Sequence, residues 1–143
     1  MNVKARSQEL AGYLRVIRQK LQRVDKWNPR ISQVLNVQEV HALLTIGASA
    51  AMTMSAIADR LQLSLSSMTS VIDKLEKKKF VARGRKKDDR RVVEVTLTDA
   101  GHKFYDIVQD SHLEFVTQLL KALDATEQDT LLNLFRKITA NLK

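Results

Sequence analysis

The 143-residue sequence contains no cysteine, a single proline and only four glycines. Without cysteine, the chain cannot form a disulfide framework, a thiolate metal site or a cysteine-based redox sensor. No apolar run approaches the ~20 residues of a membrane-spanning helix, and the first residues are polar rather than a signal-peptide core. We therefore expect a protein of the cytoplasm.

Groups typical of catalytic and metal sites are also scarce. Three histidines and no glycine-rich phosphate loop leave no recognisable set of nucleophile, base and orienting group, so we expect no enzyme. The residues His102 and His112 are ten positions apart, which is about 15 Å along a helix. They cannot share one metal ion within a subunit, and we predict neither a metal site nor a cofactor.

Positive charge is abundant and concentrated. The formal net charge is +8, and residues 74–91 alone hold ten basic and three acidic side chains. Residues 1–27 add seven basic and two acidic side chains, whereas 28–73 and 92–143 are slightly acidic. A basic patch of this kind favours a polyanionic partner, because neutralising phosphates releases condensed counterions. A merely solvated lysine-rich surface is the alternative interpretation.

Apolar periodicity predicts helices in the first third of the chain. Leucine and isoleucine recur at spacings of four and three from Leu10 to Leu21, which predicts a helix over about 7–27 that Pro29 ends. Asn36 can cap a second helix over about 37–46. Gly47 then lies where a left-handed C-terminal residue is expected.

The next segment predicts a helix-turn-helix unit. Thr53 can cap a short helix over about 54–61, and Ser64 can cap a second over about 65–78. The outward face of the second helix is rich in hydroxyl groups, which can bond phosphates or base edges, although local capping is the alternative. We predict DNA contacts from Ser64, Ser66, Ser67, Thr69, Ser70 and Lys74.

A charged segment followed by alternating apolar residues then predicts a two-stranded hairpin. Val93, Val95 and Leu97 alternate with polar residues, so the returning strand should lie on the core. Asp89 can fix the direction of a neighbouring arginine and so present it to a narrow minor groove. The predicted DNA-binding residues of this hairpin are Arg83, Arg85, Lys86, Lys87, Asp89, Arg90 and Arg91.

The last third predicts two more helices. Thr98 can cap a helix that runs to about 122, and after a break near 124–126 a further helix reaches about 142. Residues 36–97 already make a complete small winged domain. The apolar faces of 7–27 and 99–142 therefore lack a cover within one subunit, which predicts a two-fold symmetric homodimer.

These residues resemble a known family. The run from Asp89 through Arg91 to Leu97 and Thr98, with Gly101 after it, is similar to the wing motif of the MarR (multiple antibiotic resistance regulator) family. Residues 57–61 and 68–77 also look like that family's two helix-turn-helix helices. The resemblance spans about residues 10–142.

The resemblance implies the fold and the function, which would be that of a ligand-responsive transcriptional repressor acting as a homodimer on a pseudopalindromic operator. The fold would be mainly α with a small β wing: one domain, residues 1–143, with a winged helix-turn-helix at about 36–97 and dimerisation helices at about 7–27 and 99–142. The recognition helix, 65–78, would enter the major groove of double-stranded DNA, and the wing, 83–92, would lie beside the minor groove. One departure is Lys79, where the family usually has glycine. A left-handed lysine costs about 1 kcal/mol relative to glycine.

The resemblance also implies an effector, because members of the family usually respond to a small molecule. Plausible lining residues are Trp27, His41, Phe104 and Tyr105, which ordinary core packing explains equally well. Residues 38–41, 90–93 and the region of His112 look similar to the branch that represses fatty-acid synthesis genes. That likeness implies an acyl effector in a cleft between the terminal helices and the winged domain.

A second class of function stays open from the residues alone. The stretch 1–27 is a basic amphipathic helix, which is also typical of a module that binds membrane or polyanion surfaces without operator specificity. Its single tryptophan and narrow apolar seam favour the DNA-binding interpretation. Vesicle binding without duplex binding would favour the alternative.

Overall fold

A computed structural model describes residues 2–23 and 28–142 of the chain. The described elements are α1 (Val3–Leu21), α2 (Pro29–Val34), α3 (Val37–Gly47), β1 (Met52–Thr53), α4 (Met54–Leu61), α5 (Leu65–Lys77), β2 (Val81–Arg85), β3 (Val93–Leu97), α6 (Asp99–Lys121) and α7 (Ala125–Asn141). The predicted fold class, mainly α with a small β wing, is confirmed.

The core of the winged domain lies between α3, α4, α5, the sheet and the first half of α6. Leu43, Ile57, Met68, Ile72 and Val95 are fully buried there. Because apolar residues repeat at helical spacing on α5 and at alternate positions on β3, each element buries one face and leaves the other to solvent. The outward faces of α5 and of the hairpin are thereby available for binding.

The sheet has one strand more than the sequence predicts. Its order is β1-β3-β2, all antiparallel, with Met52 opposite Val95 and Arg83 also opposite Val95 on the other side. The hairpin of β2 and β3 is as predicted. The two-residue strand β1 was missed, because a run of two residues has no periodicity and forms only by pairing with a distant strand.

Local capping signals place four helix starts correctly. The side chains of Asn36, Thr53, Ser64 and Thr98 each accept a hydrogen bond from a backbone N–H in the first turn of α3, α4, α5 and α6. Each bond satisfies a donor that has no partner within the helix. The predicted starts of these helices are therefore confirmed.

The predicted limits of the first helix are wrong. Asn2 caps α1, so the helix begins at Val3, and it ends at Leu21 rather than near residue 27; the segment 24–27 lies outside the described residues. Pro29 does not end α1 but begins α2, with Asn28 as its cap. Proline fits the first helical position because its missing N–H has no partner there.

The prediction that Gly47 is left-handed is also wrong. None of the described glycines has a positive φ, and Gly47 is the last residue of α3. A Cβ atom at this position would collide with the ring of Tyr105 on α6. The glycine therefore allows a close approach of α3 and α6.

The terminal helices leave their apolar side chains exposed. No residue of α1 or α7, as far as the structure describes them, is buried. The exposed apolar side chains include Leu10, Tyr13 and Leu14 on α1 and Leu134, Phe135 and Ile138 on α7. A single chain thus completes the winged domain but not the terminal helices.

Candidate nucleic-acid interface

The first turn of α5 presents hydroxyl groups to solvent. Ser64, Ser66, Ser67 and Ser70 are exposed and Thr69 is half-buried. Several of these hydroxyls already have local partners. The backbone N–H of Ser67 donates to Ser64 Oγ at 3.1 Å, and Thr69 Oγ1 donates to the Leu65 carbonyl at 2.8 Å. The capping interpretation thus holds for Ser64, while Ser66 and Ser70 project from the opposite side of the helix to its buried residues.

The second half of α5 carries cations on its outer face. Lys74 and Lys77 are exposed and lie in the last turns of the helix. Lys78 has a different environment: its Nζ donates to Glu39 Oε2 at 2.6 Å and to the Val34 carbonyl at 2.7 Å. Lys78 therefore ties the end of α5 to the start of α3 and is not directed at a ligand.

Arg83 joins the wing to α5. Its Nη2 donates to Asp73 Oδ1, and its Nε lies 3.5 Å from Glu76 Oε2. Both carboxylates belong to α5, whereas Arg83 lies in the middle of β2. Its half-buried guanidinium is therefore held against the helix, unlike those of the exposed wing arginines.

The wing tip, residues 86–92, exposes most of the remaining cations. Lys86, Lys87, Arg90 and Arg91 are exposed there, as is Arg85 at the end of β2. The tip is closed by the Lys86 N–H, which donates to the Val92 carbonyl at 2.9 Å, and by a turn in which the Val92 N–H donates to the Asp89 carbonyl. The guanidinium of Arg85 donates to the Arg90 carbonyl at 2.7 Å, so the exposed tip has internal support.

Asp89 holds Arg91 as the sequence predicts. Asp89 Oδ1 accepts from both Nε and the backbone N–H of Arg91, each at 3.1 Å. These two hydrogen bonds, with a smaller contribution from the charge of Lys86, hold the pKa of the Asp89 carboxyl below its ordinary value. The carboxylate therefore stays ionised at neutral pH and limits the directions that Arg91 can take.

An open concavity of about 400 Å³ lies along the root of the wing. Its lining is provided by Ala51, Ala82, Arg83, Gly84, Arg85, Lys86, Lys87, Glu94 and Thr96. Most of its charged groups are cations, which suits a phosphate backbone. The hydroxyl-rich start of α5, the outer lysines and the wing tip are the candidate site, an exposed and mostly cationic surface that we call the α5–wing face.

The predicted effector residues are largely occupied in packing. The ring of Phe104 stacks on that of Phe80 with centroids 5.0 Å apart, and Tyr105 lies against Gly47. His41 is half-buried on α3, and burial lowers the pKa of its imidazole. Trp27 lies outside the described residues. The three described side chains lie on α3 and α6, which pack together.

Among the residues that the structure describes, no group of three or more histidine, aspartate or glutamate side chains is placed to hold a metal ion.

Sequence reasoning missed three residues of this face. Asp73 and Glu76 lie on the outer side of α5 and hold Arg83, and Leu65 is an exposed apolar side chain at the start of that helix. Asp73 is an acidic residue among outward-facing cations, and this pattern could have indicated that it pairs with one of them. The exposure of Leu65 has no such local signal, because an apolar residue in a helix is usually buried.

Comparisons with known proteins indicate one family. The sequence model of the MarR family matches residues 35–93. An uncharacterized HTH-type transcriptional regulator of Bacillus subtilis, YkoM, is 36% identical over 81 residues, which are 57% of this chain and 53% of YkoM. The HTH-type transcriptional regulator PecS of Dickeya dadantii is 30% identical over 111 residues, covering 76% of this chain and 67% of PecS. The chain spans about half the length of the first curated relatives that it matches.

A solved structure extends the similarity to nearly the whole chain. The crystal structure of Streptococcus pneumoniae FabT in complex with DNA superposes with a TM-score of 0.74 at 25% identity. The match covers 94% of this chain and 98% of FabT. The terminal helices are thus part of the shared fold, although the sequence model covers only the winged portion.

Proposed function

Because the chain belongs to the MarR family of transcriptional regulators, we propose that it is a sequence-specific DNA-binding repressor and not an enzyme. The α5–wing face is the observation that carries this proposal. It combines an exposed helix start, exposed outer lysines and a braced cationic tip within one winged domain. In this proposal α5 enters the major groove and the wing tip lies along the adjacent minor groove.

The proposed active form is a homodimer. Leu134, Phe135 and Ile138 on α7 are 53%, 47% and 49% exposed in the single chain. A contiguous apolar stripe of this kind is typical of an interface, and a second copy would cover it by two-fold symmetry. Two α5–wing faces would then read a pseudopalindromic operator with half-sites about one helical turn, ~34–36 Å, apart.

The DNA-binding proposal is tested in two steps. Bound duplexes are selected from a random pool, and the affinity for the selected site is then measured. Arg90→Ala and Arg91→Ala should each weaken binding. The slope of log K against log salt should also become shallower, by roughly one for each phosphate that the variant no longer neutralises. Lys103→Ala is the charge-matched control, because Lys103 is exposed on α6 outside the face. The wing assignment fails if both arginine variants keep the parental affinity and slope.

Sedimentation of a Phe135→Glu variant tests the dimer proposal. A carboxylate in the centre of a symmetric apolar interface would face its own copy, so the variant should sediment as a monomer. The winged domain should keep its fold, because no residue of α7 contributes to the described core. A stable parental monomer would contradict the proposal.

An effector that alters DNA binding completes the proposed function. The predicted lining residues His41 and Tyr105 lie on α3 and α6, which pack together, so the proposed effector site lies beside that packing. The assignment to the branch with an acyl effector stays a prediction. To test this prediction, the protein–operator complex is titrated with acyl thioesters, and release or tighter binding of the duplex is measured.

The surface-binding alternative rests on the basic α1 helix, whose Leu10, Tyr13 and Leu14 are exposed. In the part of the chain that the structure describes, no helix is long and apolar enough to cross a membrane. Binding to anionic vesicles without any duplex preference would favour this alternative. We propose that these side chains belong to the dimer interface and that the protein acts on DNA in the cytoplasm.

A further inference from the structure

Leu65 is an exception among the apolar side chains of the winged domain. In residues 36–97, all of which the structure describes, the large apolar side chains that are more than a third exposed are Val37, at 39%, and Leu65, at 54%. The other long apolar side chains of α5, including Met68 and Leu75, are fully buried. Leu65 therefore plays little part in packing the core.

Leu65 lies at the end of α5 where a base contact is expected. Leu65 is the first residue of α5, directly after the cap residue Ser64, and exposed Ser66 and Ser67 follow it. In helix-turn-helix proteins the N-terminal residues of the second helix contact base edges in the major groove. The Leu65 carbonyl accepts the Thr69 hydroxyl at 2.8 Å in addition to its helical role, which helps to fix the backbone that carries the side chain.

The chemistry of the groove offers one apolar group at that depth. All four bases present hydrogen-bonding groups in the major groove, and thymine alone adds a C5-methyl group. Contact between this methyl and a leucine removes apolar surface of both partners from water. Single exposed leucines are common on protein surfaces; what distinguishes Leu65 is its place at the leading end of the recognition helix among hydroxyl groups.

We propose that Leu65 is a specificity-determining residue that reads the C5-methyl group of a thymine in each half-site. This inference rests on the proposed function, because it requires α5 to enter the major groove. The neighbouring serines then make adaptable polar contacts, and Leu65 discriminates thymine from cytosine.

The test replaces thymines of the selected duplex by deoxyuridine, one position at a time in both half-sites. Deoxyuridine keeps the pairing and the O4 acceptor but lacks the methyl. At one thymine position the full-length parental protein should bind about fourfold more weakly per methyl removed, as expected when one buried methyl-sized group is deleted. Leu65→Ala should bind thymine and deoxyuridine duplexes equally at that position, and Leu65→Met should restore part of the difference.

The matched control is Val37→Ala, which truncates the other exposed apolar side chain of the winged domain, at the start of α3. It should keep the parental discrimination, and thermal unfolding should show that both alanine variants are folded. An equal weakening by deoxyuridine in the parental protein and in Leu65→Ala would overturn the inference, as would a selected site at which no thymine methyl matters. In both of those outcomes the protein still binds a specific duplex. Absence of any preferred duplex would instead overturn the proposed function and the inference with it.

Discussion

Arg83 in the middle of β2 is ion-paired with Asp73 on the outer face of α5, and Glu76 one turn further along lies beside the same guanidinium. The Arg83 side chain is 28% exposed, whereas that of Arg91 at the wing tip is 91% exposed. This arginine links the wing to α5. We expect this pairing, together with the shared core, to help set the angle between α5 and the wing.

Asp73→Asn should weaken operator binding by up to about fivefold, the equivalent of one largely exposed ion pair. Simple electrostatics predicts the opposite sign, because the substitution removes a negative charge from a face that binds a polyanion. Fluorescence anisotropy over a range of salt concentrations measures the effect. Asp59→Asn, on the exposed side of α4, is the control and should bind as tightly as the parent or more tightly. Tighter binding by both variants would show that Arg83 does not orient the wing.

Arg83→Gln separates a positioning role from a phosphate contact. If Arg83 only holds the wing, the affinity should fall while the log–log salt slope stays at the parental value. A direct phosphate contact would instead reduce the slope by about one. The sequence predicts Arg83 as a DNA contact, and this measurement decides that point.

The Asp89 carboxyl should titrate below its ordinary range, because hydrogen bonds from the Arg91 side chain and backbone favour the charged form. A depressed folded-state pKa means that the contact between Asp89 and Arg91 stabilises the fold fully above the unfolded-state pKa of the carboxyl. This stabilisation is lost as the pH falls through the lower folded-state pKa. The brace is therefore intact at neutral pH. In Arg91→Ala the Asp89 pKa should rise part of the way to normal, since the backbone N–H remains. Carboxyl-carbon NMR titration measures both values, and an unchanged pKa in the variant would contradict the brace.

Features encoded within a few residues could be predicted from the sequence. The caps Asn36, Thr53, Ser64 and Thr98 act within three residues of their own positions, so each helix start follows from local chemistry. The contact between Asp89 and Arg91 spans only two residues. These local signals predicted the helix-turn-helix, the wing and the contact between Asp89 and Arg91.

Features that depend on distant residues could not be predicted. β1 exists because Met52 pairs with Val95, and Gly47 is required because Tyr105 packs on it. The partners of Arg83 are seven and ten residues away on another element. Nothing in the local sequence around Arg83 distinguishes it from the exposed cations of the wing tip.

Lys79→Gly should stabilise the protein by up to about 1 kcal/mol. Lys79 has a φ of 66°, which strains any residue with a side chain. Its N–H donates to the Glu76 carbonyl and the Phe80 N–H to the Leu75 carbonyl, at 2.9 and 3.0 Å, the paired bonds that end a helix with a left-handed residue. The turn thus keeps the shape that glycine favours. Chemical denaturation measures the gain, and Lys79→Ala, which removes the same charge but keeps the strain, should show none of it.

Lys78→Met should destabilise the protein by about 2–3 kcal/mol, because it leaves the Glu39 carboxylate buried without a cation. Glu39 is 2% exposed, and its oxygens accept from the Asn36 N–H at 3.2 Å and from Lys78 Nζ at 2.6 Å. Lys77→Met is the control: it removes the same charge from an exposed position one residue earlier and should change the free energy of unfolding by less than about 0.5 kcal/mol.

The double variant Glu39→Gln with Lys78→Met tests the cause of that destabilisation. A glutamine at position 39 keeps the acceptor that the capping box of α3 needs, but it carries no charge that requires compensation. Stability should therefore return most of the way to the parental value. If the double variant is as unstable as Lys78→Met alone, the destabilisation comes from the missing bond between Lys78 and the Val34 carbonyl, and the end of α5 is held by α2 and not by the buried charge.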